Sequence, residues 1–365
     1  MPRLMTIEEA LQDSTTKAMW RNGLPRLSRQ VLRDEVTELI GKITSQTILD
    51  IRNKTATIRT GDFEEKGNLN LQQQYMGRSL YQINLPSSEM KTQIPCTISN
   101  AMVPEARDLF PDDWRSQNSI LVQFPDSGLS FNVSPAGTFT DFHADSCTIG
   151  RAVCFGRCIK GWLCFPPTAK NLCLWQDGLG LPAKCAKYGM QLEGGIFVRT
   201  GNDPLSAGNC IDMSSGTIHC VLTIEGGLLG GVNYSISEAL LLSSRMICMQ
   251  FRRWQQDEQV TEDVKWWKHS FTKCLSQADD KLYPVAWYSL VLLVNEVELR
   301  PARAGHKAYK EIRAAEKASW TQWQKIHTRQ DGRLQCVCGT AYDHWRNHYT
   351  PEVCPAVVGG IELSL

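Results

Sequence analysis

Residues 137–167 read GTFTDFHADSCTIGRAVCFGRCIKGWLCFPP. Short apolar runs, Arg151 to Phe155 and Gly161 to Phe165, alternate here with Gly and Asp, the residues that end strands. The same rhythm extends outward. Ile120 to Phe124 and Leu129 to Val133 precede the segment; Gly195 to Val198, Cys210 to Met213, His219 to Leu222 and Leu228 to Tyr234 follow it. Many short strands at this spacing predict a β-sandwich or barrel.

Inside the stretch, Thr140-Asp141-Phe142-His143-Ala144-Asp145 carries metal chemistry. Residues i and i+2 of a strand share a face, so His143 and Asp145 can hold one ion between them. His219, 76 residues later, opens a second apolar run after the turn Ser214-Ser215-Gly216. Two histidines and one carboxylate leave coordination positions open, as in non-haem Fe(II) oxygenases. An HxD pair alone is common, and a lone histidine is more often a core or surface residue than a ligand.

The surroundings add specificity. Thr140-Asp141-Phe142-His143-x-Asp145, Lys160, Pro166-Pro167-Thr168 and Asn171-Leu172 are followed by Gly208-Asn209-Cys210, Ser215-Gly216-x-Ile218-His219-x-Val221-x-Thr223 and Gly230-Gly231-x-Asn233. In order and spacing, residues 120 to 240 resemble the JmjC (jumonji C) family of 2-oxoglutarate-dependent oxygenases, closest to its histone lysine demethylase branch. The resemblance implies an α+β chain whose core is a double-stranded β-helix of the jelly-roll or cupin type, with helical extensions on both sides. It implies His143, Asp145 and His219 as Fe(II) ligands, Lys160 and Thr140 as partners of the distal carboxylate of 2-oxoglutarate, and Asn233 near the cofactor. A buried dicarboxylate needs a cation and donors to offset its desolvation, which agrees with Lys160.

The implied activity is an Fe(II)-, 2-oxoglutarate- and O2-dependent dioxygenase acting on protein. Lysine demethylation, on a histone tail above all, leads, with release of succinate, CO2 and formaldehyde. The alternatives are a JmjC protein hydroxylase and a non-catalytic JmjC-fold protein that binds chromatin. A nuclear location follows from the family alone. One departure is Val153, where many members carry an aromatic residue about ten positions after the first histidine; another is the density of cysteine from Cys147 to Cys164.

The flanks are read from composition. The 365 residues include 39 Lys+Arg and 38 Asp+Glu, with 42% hydrophobic and 21% charged residues. That excludes a disordered chain and a global basic field. No segment reaches a membrane span, the nearest being Val285 to Val297. The opening MPRLMTIEEALQD lacks an apolar signal core, so an intracellular protein with reduced thiols is expected. The fourteen cysteines include no CxxC.

Four regions are expected: a helical and mixed N-terminal part (1–115), the β core (116–240), a helical domain (241–330) and a Cys/His-rich tail (331–365). Leu27, Val31, Leu32, Val36, Leu39 and Ile40 recur at helical spacing, and Thr47 to Thr60 alternate as a strand would. Helices fit 237–256, 261–277, 284–299 and 305–326. Around the last lie Arg303, Lys307, Lys310, Arg313 and Lys317, a basic face that could touch nucleosomal DNA, although such runs are usually solvated. Trp320 and Trp323 are expected to pack against neighbouring helices. In the tail, Cys336-x-Cys338, His344, His348 and Cys354 suit structural Zn(II), with Cys336, Cys338, His348 and either His344 or Cys354 as ligands.

Overall fold

Short runs of alternating and β-branched residues in the middle of the chain pair into sheets, and the Leu/Trp/Glu-rich C-terminal half coils into helices. The computed structural model describes residues 4–21, 23–29, 83–86, 121–123, 130–134, 136–145, 149–178, 189, 191–236, 239–253, 257–277, 283–300, 306–327 and 333–358. Its fold is mixed α+β with antiparallel sheets, and it divides into a β-rich unit and a largely helical one that includes Leu121–Gln123, Asp145, Ile149 and the chain from Tyr234 onward.

In the β-rich unit, helices α1 (Ile7–Gln12) and α2 (Ser14–Met19) lead into strand β1 (Arg26–Ser28). The remaining strands of the sheets are β2 (Ile83–Pro86), β3 (Leu121–Gln123), β4 (Ser130–Ser134), β5 (Phe139–His143), β6 (Ile149–Phe155), β7 (Ile159–Phe165), β8 (Ile196–Thr200), β9 (Cys210–Met213), β10 (Ile218–Glu225) and β11 (Gly227–Ile236). Helix α3 (Ala169–Gly178) lies between β7 and β8. One sheet has the order β1-β9-β6-β11-β4-β2, with β3 also on β11; the other has the order β5-β10-β7-β8. From β4 to β11 every connection but β7–β8 crosses from one sheet to the other.

The strands expected from sequence fall on β3, β4 and β6–β11. The helical expectation fails at Leu27: this residue sits in β1 opposite Ile211 of β9, where an open sheet edge outweighs helical periodicity. Val31 to Ile40 and Thr47 to Thr60 lie outside the described residues.

One apolar core joins both sheets. Trp162, Cys164, Ile196, Val198 and Val221 of the four-stranded sheet meet Ala152, Cys154, Ile211, Met213 and Leu229 of the other. Strand alternation then puts Arg151 and Asp212 on the opposite face of the larger sheet, where they form a buried two-point ion pair at 2.6 and 2.8 Å. Val153 shares that face, turned away from Ala152 and Cys154. Its difference from the family pattern therefore does not alter the wall of the inter-sheet core. Gly208 is required for another reason: a Cβ there would lie 2.4 Å from the Ser28 carbonyl oxygen.

The second unit contains α4 (Leu240–Arg253), α5 (Asp257–Gln277), α6 (Tyr283–Glu298) and α7 (Lys307–His327). After them come β12 (Leu334–Gln335), β13 (Ala341–Tyr342) and α8 (Trp345–His348). Helix α6 is buried on most sides, which suits its nearly continuous apolar sequence. Trp287 at its heart touches the rings of Phe271, Trp320, Trp323, Trp345 and Tyr349. Trp320 and Trp323 are thus packing residues. Among the described residues, eleven cysteines are free thiols, and no helix is long and apolar enough to cross a membrane.

Candidate metal centre

The four-stranded sheet builds the site in rungs. His143 at the end of β5 is directly opposite His219 on β10, and Cys164 of β7 lies on the far side of His219. The two imidazole rings are 4.2 Å apart between centroids. One potential ligand atom from each of His143, Asp145 and His219 lies within 4.8 Å of the other two. Each ring is fixed by its own strand. His143 Nδ1 is 2.9 Å from the Asp141 carbonyl oxygen, and His219 Nδ1 is 3.0 Å from that of Thr217. A carbonyl only accepts, so both Nδ1 atoms donate, and the lone pair of each neutral ring is on Nε2.

The next rung depends on an irregularity. Val221 pairs with Thr140 although His219 pairs with His143, so Asp141 and Phe142 together face the single residue Cys220. This bulge bends the count of β5 by one residue. Thr140 and His143, three apart, consequently share the face that His219 and Val221 share. The Asp141 carboxylate accepts from the Phe142 amide at 2.8 Å, satisfying a donor at the irregularity.

Lys160 occupies the far rung, opposite Thr223 on β10 and Thr200 on β8. Thr223 is four positions beyond His219, about 13 Å along a strand. Lys160 is 3% exposed, and its Nζ donates to Thr223 Oγ1 at 2.6 Å. Among the described residues no carboxylate pairs with it. Burial lowers its pKa, opposed by the neighbouring thiols of Cys158 and Cys154. Trp162 Nε1 and the Cys154 thiol converge on the Thr200 hydroxyl at 2.8 and 3.2 Å.

Asn233 is on β11, in the other sheet and half-buried, on the same strand face as the core residue Leu229. Among the described residues, no contact ties it to the histidines or Lys160. Asn171, quoted from the sequence pattern, is a bracket: its side chain bonds the carbonyls of Pro166 and Glu193 and the Glu193 amide at 2.9–3.0 Å. Thr223 and Thr200 are the functional candidates to which sequence reading gave no role. Their signal was alternation, because Thr223 lies an even number of residues from His219.

A second group of metal-binding residues lies in the tail. Cys336, Cys338, His348 and Cys354 bring one ligand atom each within 4.8 Å of the others. His344 does not join them. It caps α8 with extended backbone, accepts from the Arg346 amide and lies against Trp320. The helical i, i+4 relation to His348 fails because His344 precedes the helix.

The basic face of α7 is partly neutralised: Arg313 pairs with Glu298 and Glu316 at 2.9 and 2.7 Å, while Lys310 and Lys317 are exposed. Arg303 lies outside the described residues. No protein-family model matches the chain, and no curated protein matches it.

Proposed function

We propose that the chain is an Fe(II)- and 2-oxoglutarate-dependent oxygenase of the JmjC type, acting on methylated lysine in a protein. The strand order supports the double-stranded β-helix that this reading requires. Eight strands, β4 to β11, fill two four-stranded layers in the orders β4-β11-β6-β9 and β5-β10-β7-β8, the pattern of a jelly roll with two Greek keys.

The observation that carries the proposal is Lys160. A buried ammonium with a hydroxyl for company is costly unless an anion completes its environment. It stands on the same sheet face as a two-histidine, one-carboxylate group, with Thr140 on the rung between. The donor set fits Fe(II): imidazole nitrogen and carboxylate oxygen in an arrangement that leaves positions open. Bound iron with 2-oxoglutarate and O2 supplies oxidation of a C–H bond, coupled to release of succinate and CO2.

The protein's own residues would then do four things. His143, His219 and Asp145 hold the metal, and the Asp141 and Thr217 carbonyls orient the imidazoles. Lys160 and Thr223 anchor the distal carboxylate, with Thr140 donating beside them. Trp162, Val198 and Val221 exclude water between the sheets. Oxidation at an N-methyl group yields formaldehyde and the demethylated amine.

Iron-loaded full-length protein incubated with 2-oxoglutarate and methylated histone peptides tests this by mass spectrometry. Loss of one methyl mass supports demethylation. A gain of one oxygen moves the assignment to hydroxylation, and no 2-oxoglutarate consumption with any peptide refutes the oxygenase.

A further inference from the structure

The tail holds a cluster of metal-binding side chains that shares no residue with the His143, Asp145 and His219 group. We infer that Cys336, Cys338, His348 and Cys354 form a closed Cys3His site for Zn(II), with a structural role.

The chain prepares this site in two pieces. Strands β12 and β13 pair Leu334 with Tyr342 and Gln335 with Ala341, and the turn between them carries both Cys336 and Cys338. Gly339 closes the turn at φ 85°, a conformation open to glycine, with its amide on the Cys336 carbonyl at 2.9 Å. The Cys336 amide bonds the Thr340 carbonyl at 3.0 Å. The second piece is α8 and the turn after it. His348 ends the helix, and Cys354 follows in a turn whose amide bonds the Thr350 carbonyl at 2.9 Å.

Two opposite ligand pairs stand at tetrahedral edge lengths, and all four ligand atoms lie within 4.8 Å of one another. With Zn–S near 2.3 Å and Zn–N near 2.05 Å, tetrahedral edges are about 3.8 Å for S···S and about 3.6 Å for S···N. Cys336 Sγ and Cys354 Sγ are 3.6 Å apart, and Cys338 Sγ is 3.6 Å from His348 Nε2. A disulfide would need about 2.05 Å. Four protein ligands fill a tetrahedral ion, leaving no position for substrate, which separates this site from the open triad on β5 and β10.

Surrounding groups orient the ligands. The Tyr283 hydroxyl, at the start of α6, reaches Cys336 Sγ at 3.9 Å and accepts from the Val337 amide at 2.8 Å. The His348 ring stacks on Tyr342 at 4.6 Å, and the Tyr342 hydroxyl accepts from Trp323 Nε1 at 3.0 Å and from Tyr349 at 2.7 Å. The four ligands thus rest on the aromatic core of α6 and α7. Cys336, Cys354 and His348 are at most 3% exposed. An ion here ties a segment of two-residue strands and a four-residue helix, too small to hold a core of its own, to those helices.

The test uses the full chain purified without chelators. Elemental analysis and native mass spectrometry should find one zinc per chain, kept in His143→Ala and His344→Ala and lost in Cys336→Ser and Cys354→Ser. Because a cysteine variant could fail to fold, Cys338→His supplies a second arm and should retain zinc. Chelation of the wild type should expose the Cys336, Cys338 and Cys354 thiols to alkylation. Zinc-free protein with those thiols already reactive, a mass deficit of two hydrogens from a Cys336–Cys354 disulfide, or zinc lost equally in His344→Ala would each overturn the assignment.

Discussion

Replacing Lys160 by Met separates the cost of a buried charge from its use. In the ligand-free protein the ammonium is 3% exposed and donates to Thr223 Oγ1. Replacing a buried ion pair by apolar groups of similar volume is commonly neutral to stabilising by about 1–4 kcal/mol, and relief of the desolvation of one ammonium is of that order at most. The lost charged hydrogen bond gives back about 1.5–3 kcal/mol. The two contributions largely offset each other, so Lys160→Met without cosubstrate should stay within about 3 kcal/mol of wild type. The cosubstrate should respond oppositely. Leaving its carboxylate buried without a cation costs about 3–5 kcal/mol, roughly a 10²- to 10⁴-fold loss of 2-oxoglutarate affinity. The pH dependence has a defined sign. Burial puts the folded pKa of Lys160 below the unfolded value of 10.5. The folded state thus binds fewer protons between the two values, so the lysine's penalty is complete below the folded pKa and is relieved as pH rises toward 10.5. Any stability advantage of Lys160→Met should shrink over that alkaline window. Urea unfolding across pH measures the first effect, and calorimetric titration of 2-oxoglutarate with Mn(II) in place of iron measures the second. Unchanged 2-oxoglutarate affinity in the variant would refute the reasoning.

Three further outcomes are expected. His143→Ala and Asp145→Ala should each abolish Fe(II)-dependent 2-oxoglutarate turnover while leaving the circular-dichroism spectrum unchanged; wild-type turnover in metal-controlled assays would remove that residue from the site. Arg151→Met, which removes the guanidinium bound at two points to the buried Asp212 carboxylate, should cost about 3–5 kcal/mol in urea unfolding, and adding Asp212→Leu should recover most of it. Trp287→Ala should destabilise the helical unit by about 3–5 kcal/mol, because the ring is fully buried among five aromatic neighbours. A loss below 1 kcal/mol, read by circular dichroism, would mean that the core closes over the cavity.

The β region was legible in the sequence because strand alternation and turn residues are local signals. The pairing of His143 with His219 is a contact between distant strands that only the resemblance suggested, and Asp145 lies just past the end of β5, where the i, i+2 relation no longer applies. The placement of Thr140 was not legible from alternation. A regular strand sends residues three apart to opposite faces, and only the bulge at Asp141 and Phe142 restores Thr140 to the side of His143. Leu27 was misread because helical periodicity says nothing about an unfilled edge on β9. In the tail, composition identified the ligand types but not the choice between His344 and Cys354. That choice is set by where α8 begins, a matter of one or two residues that periodicity does not resolve. Spacing marks Val153 as a departure, and its strand face removes it from the inter-sheet core.

The tethering of both imidazoles to carbonyls two residues upstream has a thermodynamic consequence. A flexible ligand must surrender rotational freedom when it coordinates, at about 0.5–1.5 kcal/mol per side chain. Here folding has already frozen the rings and chosen their tautomer, so that loss is charged to the sheet rather than to the ion. The metal-free and metal-loaded forms should then differ little in the histidine geometry, and the affinity gained in this way depends on the integrity of β5 and β10. Loosening either strand, even at a distance from the ligands, would weaken ion binding without altering a single coordinating atom.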